Sequence, residues 1–121
     1  MTVSPIPPTV RLEQQVRTLV SVFYSGNGTG AHSPAGMRTR SAVWAITGRK
    51  PTLAAFEEAL EAIHERDRIN SNSIGLWDGT HEVWPNSPDY AACKSEHLEV
   101  QDQLIDVAIR NLIPGGSNEP R

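Results

Sequence analysis

The sequence has a single cysteine, Cys93, so no intrachain disulfide can form. That sets aside the small secreted scaffolds that depend on bridges and points to a reducing compartment. Long apolar runs are missing too: the longest mostly apolar stretch, Leu19 to Tyr24, is far too short to span a bilayer. The segment from Met1 to Pro8 holds three prolines and lacks both the basic start and the apolar run of a secretory signal. These absences lead to the expectation of a soluble, cytoplasmic protein without a membrane segment.

The patterns that carry chemistry are also sparse. His32, His64, His81 and His97 are scattered, no pair has a zinc-site spacing, and Cys93 stands alone, so no metal is expected. Gly26-Asn27-Gly28-Thr29-Gly30 has the composition of a phosphate-cradling loop, but it follows a helical pattern and lacks the Lys-Ser/Thr pair of a P-loop. It reads as a linker. No nucleophile elbow is present, and Glu57, Glu58, Glu61 and Glu65 read as a solvated helix face before general acid-base groups. The chain is therefore expected to have no catalytic residues and no cofactor.

What is present fits one folded domain. The chain has 121 residues, 38% of them hydrophobic and 21% charged, enough to bury a core and far from the composition of disordered chains. The net charge of −3 hides an asymmetry. Residues 1–56 carry six basic groups and one acid (+5), whereas residues 57–121 carry five basic groups and thirteen acids (−8). Local field governs attraction to a polyanion, so the basic part is the candidate nucleic-acid face.

Periodicity orders the rest. Residues 1–9 are proline-rich and read as a flexible arm. From Val10, the spacing of Leu12, Val16, Leu19, Val20 and Phe23 predicts a first helix. Ser25 to Gly36, with four glycines and Pro34, reads as a long loop. Ala42, Val43 and Ile46 predict a short helix over Thr39–Thr47 that stops at Gly48. After the turn Arg49-Lys50-Pro51, Thr52 is an N-cap for a third helix, with apolar positions Leu53, Phe56, Leu60 and Ile63, that ends near Asp67. Asn70 and Asn72 mark a turn.

Ile74–Trp77 and Thr80–Trp84, joined by Asp78-Gly79, then predict a β-hairpin, with Trp77 and Trp84 in contact over the third helix. A last helix is expected over Ser95–Ile113 and is apolar on two stripes. Leu98, Ile105, Ile109 and Leu112 form one, and Val100, Leu104 and Val107 the other, so one stripe is assigned to the core and one to a second copy of the chain, the alternative being deep burial of the helix within one monomer. Leu98, Leu104, Ile105, Ile109 and Leu112 are the candidate dimer-interface residues. The expected division is an arm over 1–9, a domain over 10–85, a helical dimerisation extension over 86–113 and a flexible tail over 114–121.

Helix, short helix, tight turn, helix and hairpin, in that order over Ala42–Trp84, resemble a winged helix-turn-helix. In that resemblance Ser41–Thr47 is the first helix of the motif, Gly48–Pro51 the turn, Thr52–Arg66 the recognition helix and Ile74–Trp84 the wing. The implied fold class is mainly α with a small β-hairpin, a winged-helix-like domain with an additional C-terminal helix. The implied partner is double-stranded DNA, with the turn and first recognition-helix turn near the major groove. On this chain the corresponding residues are Arg38, Arg40, Arg49, Lys50 and Thr52, with His81 on the wing.

Acids depart from that pattern. Glu57, Glu58, Glu61 and Glu65 on the third helix repel phosphates, and the hairpin carries Asp78 and Glu82 but no Lys or Arg. Either the helix enters a groove end-on through Thr52 and Ala55, or the scaffold binds protein. The resemblance implies a dimeric transcriptional regulator of a bacterium, phage or plasmid. The alternative is a non-enzymatic interaction module, such as an adaptor, phage assembly component or inhibitor, using the acidic third helix and the apolar last helix.

Overall fold

Among the described residues, apolar positions at helical spacing become four α-helices, and a short antiparallel hairpin separates the last two. In the computed structural model the described residues are 8–27 and 30–113; most of the expected arm and all of the tail at 114–121 lie outside them. The elements are α1 (Pro8–Asn27), α2 (Pro34–Thr47), α3 (Leu53–Asn70), β1 (Leu76–Trp77), β2 (Glu82–Val83) and α4 (Tyr90–Arg110).

α2 begins five residues before the sequence expectation because Ser33-Pro34 is a helix start. Ser33 is extended, its hydroxyl accepts a hydrogen bond from Gly36 N at 3.1 Å, and Pro34 occupies the first turn, where a missing N–H is harmless. A Cβ on buried Gly36 would lie 2.5 Å from the carbonyl oxygen of Ala31, so only glycine lets the new helix sit against that backbone. Gly48 closes α2 in the left-handed region (φ 80°) and donates its N–H to Trp44 O at 2.8 Å. Four residues on, Thr52 caps α3 by accepting from Ala55 N at 3.1 Å.

The apolar stripes of all four helices converge on one core. Val16, Val20 and Phe23 of α1, Val43 of α2, Phe56 and Ala59 of α3, and Ile105, Ala108 and Ile109 of α4 are buried together, joined by Leu112 and Ile113. The Phe23 and Phe56 rings meet at 5.7 Å between centroids. α4 lies mainly against α3, and α2 mainly against α1, so α2 and α3 are joined by a tight turn yet held through α1 more than through each other. Arg17 to Asp106 (2.6 Å), Arg66 to Asp102 (2.7 Å) and Arg110 to Glu13 (3.1 Å) tie α4 to α1 and α3 at the rim. Inside, Gln101 Nε2 donates to Ala62 O at 3.0 Å.

α4 is thus part of the main core, where the sequence reading set 86–113 apart as an extension. It also starts at Tyr90, five residues before Ser95, because Tyr90 and Cys93 are buried with Ile69, Leu76 and Val83 in a second cluster under the hairpin. The Tyr90 hydroxyl donates to Ile74 O at 3.1 Å.

The hairpin differs in register from the expectation. Leu76 pairs with Val83 and Trp77 with Glu82, and Asp78 N donates to His81 O at 3.1 Å, which places the turn at Gly79-Thr80, one residue beyond Asp78-Gly79. The cause is the Asp78 carboxylate, which accepts from Thr80 N (2.8 Å), His81 N (2.9 Å) and Thr80 Oγ1 (2.9 Å), while Gly79 takes the positive φ of 106°. Leu76 and Val83 consequently face inward and Trp77 and Trp84 outward. Trp84 lies over Gly75, and neither tryptophan is buried over α3 as expected.

Candidate nucleic-acid interface

The turn between α2 and α3 gathers basic groups. Arg40 and Trp44 are four residues apart and share a face of α2. Arg40 Nη2 donates to Pro51 O at 3.0 Å, fastening the helix to the turn, and its Nε is enclosed without a hydrogen-bond partner. Lys50 Nζ stands 5.6 Å from the centre of the half-exposed Trp44 ring, within cation–π range. Between them in the chain, Arg49 is fixed by Thr47, whose hydroxyl donates to Arg49 O at 2.9 Å while Arg49 N donates back at 3.2 Å. These groups border the amino terminus of α3, where unpaired backbone N–H groups and the helix dipole favour an anion.

The remaining expected contacts are placed differently. Thr52 is next to this cluster, but its oxygen is committed to capping α3. Arg38 is exposed and, two residues before Arg40, projects from another side of α2. His81 is on the hairpin, which packs on α4, with Nδ1 3.0 Å from Thr80 Oγ1 and 3.3 Å from Asp78 Oδ2. Hydrogen bonds from the His81 and Thr80 N–H groups and the Thr80 hydroxyl lower the Asp78 pKa to about 2, so an anion adjoins His81 throughout the neutral range. Beyond its first turn, α3 exposes Glu57, Glu58 and Glu61, and Glu65 pairs with Arg68 at 3.3 Å. An anionic partner therefore has access to the start of α3 and is repelled along its length.

The dimer residues divide. Ile105, Ile109 and Leu112 are buried in the chain's own core, which corrects their assignment to an interface, and Leu98 is partly buried against the second cluster. Leu104, 52% exposed, is the most open of the five, flanked by Val100 (56%) and Val107 (49%) on the same α4 stripe. The sequence does not reveal the contact of Trp44 with Lys50, because it depends on Lys50 folding back across a helix end and has no periodic spacing. It also missed the pairing of Tyr24 with His64, forty residues on, for which no local signal exists.

No helix among the described residues is long and apolar enough to cross a membrane. No protein-family profile, curated protein or solved structure matches the chain significantly.

Proposed function

We propose that this chain is a DNA-binding protein of winged-helix type, acting as a dimeric regulator that meets the phosphate backbone through the α2–α3 turn. The observation that carries the reading is the basic turn into α3, where Arg40 is bonded to Pro51 O, Lys50 lies over Trp44 and Arg49 is exposed beside it in the chain. Cationic side chains beside a helix N-terminus suit phosphate, which supplies most of the affinity for DNA. The acid-free first turn of α3 supports end-on entry, with Glu57, Glu58 and Glu61 kept behind the contact. The hairpin, with Asp78 and Glu82, adds little to binding. Cytoplasmic location and pairing through the Leu104 stripe belong to the same proposal.

Fluorescence anisotropy with labelled genomic duplexes at low salt tests it. Micromolar or tighter binding that weakens about tenfold or more in Arg49→Ala/Lys50→Ala is the expected result, and equal binding by the variant refutes the contact. Arg49 and Lys50 are chosen because their exposed side chains make no hydrogen bond to the core, unlike Arg40.

A second reading, a protein-interaction module, is favoured by the half-exposed Val100-Leu104-Val107 stripe of α4. Charge reversal at Glu57, Glu58 and Glu61 should then disrupt partner capture in a pulldown, and retained capture counts against this reading.

A further inference from the structure

Between the carboxyl-terminal part of α1 and the outer face of α3 lies an open cavity of about 780 Å³. That volume is in the range of small-molecule sites. Phe23, Ala31 and Leu60 give it an apolar base, the first two of them buried. Glu57, Glu61 and Asp67 supply carboxylates, Tyr24 and His64 supply aromatic walls, and no lysine or arginine is among the described residues lining it.

Helical spacing explains the gathering. Glu57, Leu60, Glu61, His64 and Asp67 recur at three and four residues, so one ridge of α3 presents acids and apolar surface together toward α1. Across from it, the Tyr24 hydroxyl is 3.0 Å from His64 Nδ1, and the two rings stand 6.3 Å apart at 59°. Burial, followed by the neighbouring Asp67 carboxylate, raises the Tyr24 pKa, so its phenol is neutral at physiological pH and presents a hydroxyl and a ring face, not a charge. An apolar base, aromatic walls and carboxylates with no competing cation match a ligand with a hydrophobic body and one positive charge.

We propose that this cavity binds a small organic cation of the arylalkylamine class, with the ammonium at Glu61 and Asp67 and the ring over Phe23 and Leu60. The site uses Glu61, an acid for which DNA contact has no use, and it stands independently of the DNA-binding reading.

Isothermal titration calorimetry with tryptamine, with its neutral analogue tryptophol in parallel, tests the site on the full chain. Saturable tryptamine binding, about tenfold or more tighter than that of tryptophol, is the expected result, as for one charge-assisted contact in a partly enclosed site. Glu61→Gln and Asp67→Asn should each weaken tryptamine by a similar factor, with helical circular dichroism intact, while Glu58→Gln, which does not line the cavity, leaves it unchanged. If one carboxylate variant fails to fold, the other still decides. Amide NMR shifts on tryptamine addition should centre on Tyr24, Leu60, Glu61 and His64. Absence of saturable binding at millimolar tryptamine, equal affinity for tryptophol, or shifts centred elsewhere overturns the proposal.

Discussion

Asp78 accepts three hydrogen bonds within its own turn, and this ties the hairpin to pH. Its folded pKa is depressed from 3.8 to about 2, so its stabilisation is complete above the unfolded value and fades as pH falls through the folded one. Tryptophan emission, reporting Trp77 and Trp84 beside the turn, should therefore shift between roughly pH 4 and 2. Asp78→Ala should remove that step and show the altered emission already at neutral pH. In the core, Phe56 is fully buried against Phe23, and Phe56→Ala should cost about 3–5 kcal/mol in urea unfolding. Phe56, Val16, Val20 and Phe23 are legible in the sequence because helical periodicity marks the face they occupy. Asp78 is not, since the sequence shows an Asp-Gly turn without showing which backbone donors the carboxylate will take.

At the scale of elements, helix ends decide the arrangement of the site. Gly48 and Thr52 are legible, because a glycine after an apolar stripe and a threonine before one are local signals with local causes. Ser33-Pro34 is hidden among glycines and reads as loop, although the same capping chemistry operates there. Ser33→Ala should cost about 1 kcal/mol, and Gly48→Ala, which forces a Cβ into φ 80°, a similar amount, both measured by thermal unfolding. If Gly48 also holds the basic turn in place, Gly48→Ala should weaken duplex binding more than Ser33→Ala does. The start of α4 is not legible because Tyr90 and Cys93 are fixed by packing under the hairpin, a long-range contact. The hairpin register escapes for the reason given for Asp78, and with it the outward placement of both tryptophans.

For the molecule as a whole, charge and exposed apolar surface are its two outward-facing resources. The basic amino-terminal part is readable from composition, and folding concentrates Arg40, Arg49 and Lys50 at one turn while leaving Arg38 and His81 apart. Which α4 stripe stays open is not readable, because two apolar stripes look alike until the core takes Ile105 and Ile109. If the Leu104 stripe joins two copies, Leu104→Lys should give a monomer by sedimentation velocity with an unchanged helical spectrum; a wild-type chain that is monomeric at tens of micromolar contradicts the pairing. The most direct test of the basic turn is the salt dependence of duplex affinity. For the wild type the affinity should fall linearly on a log–log plot against salt, and Arg49→Ala/Lys50→Ala should reduce the slope by about 2, at roughly 0.9 for each phosphate no longer neutralised. An unchanged slope in the variant, or wild-type binding indifferent to salt, would contradict a phosphate contact at the α2–α3 turn.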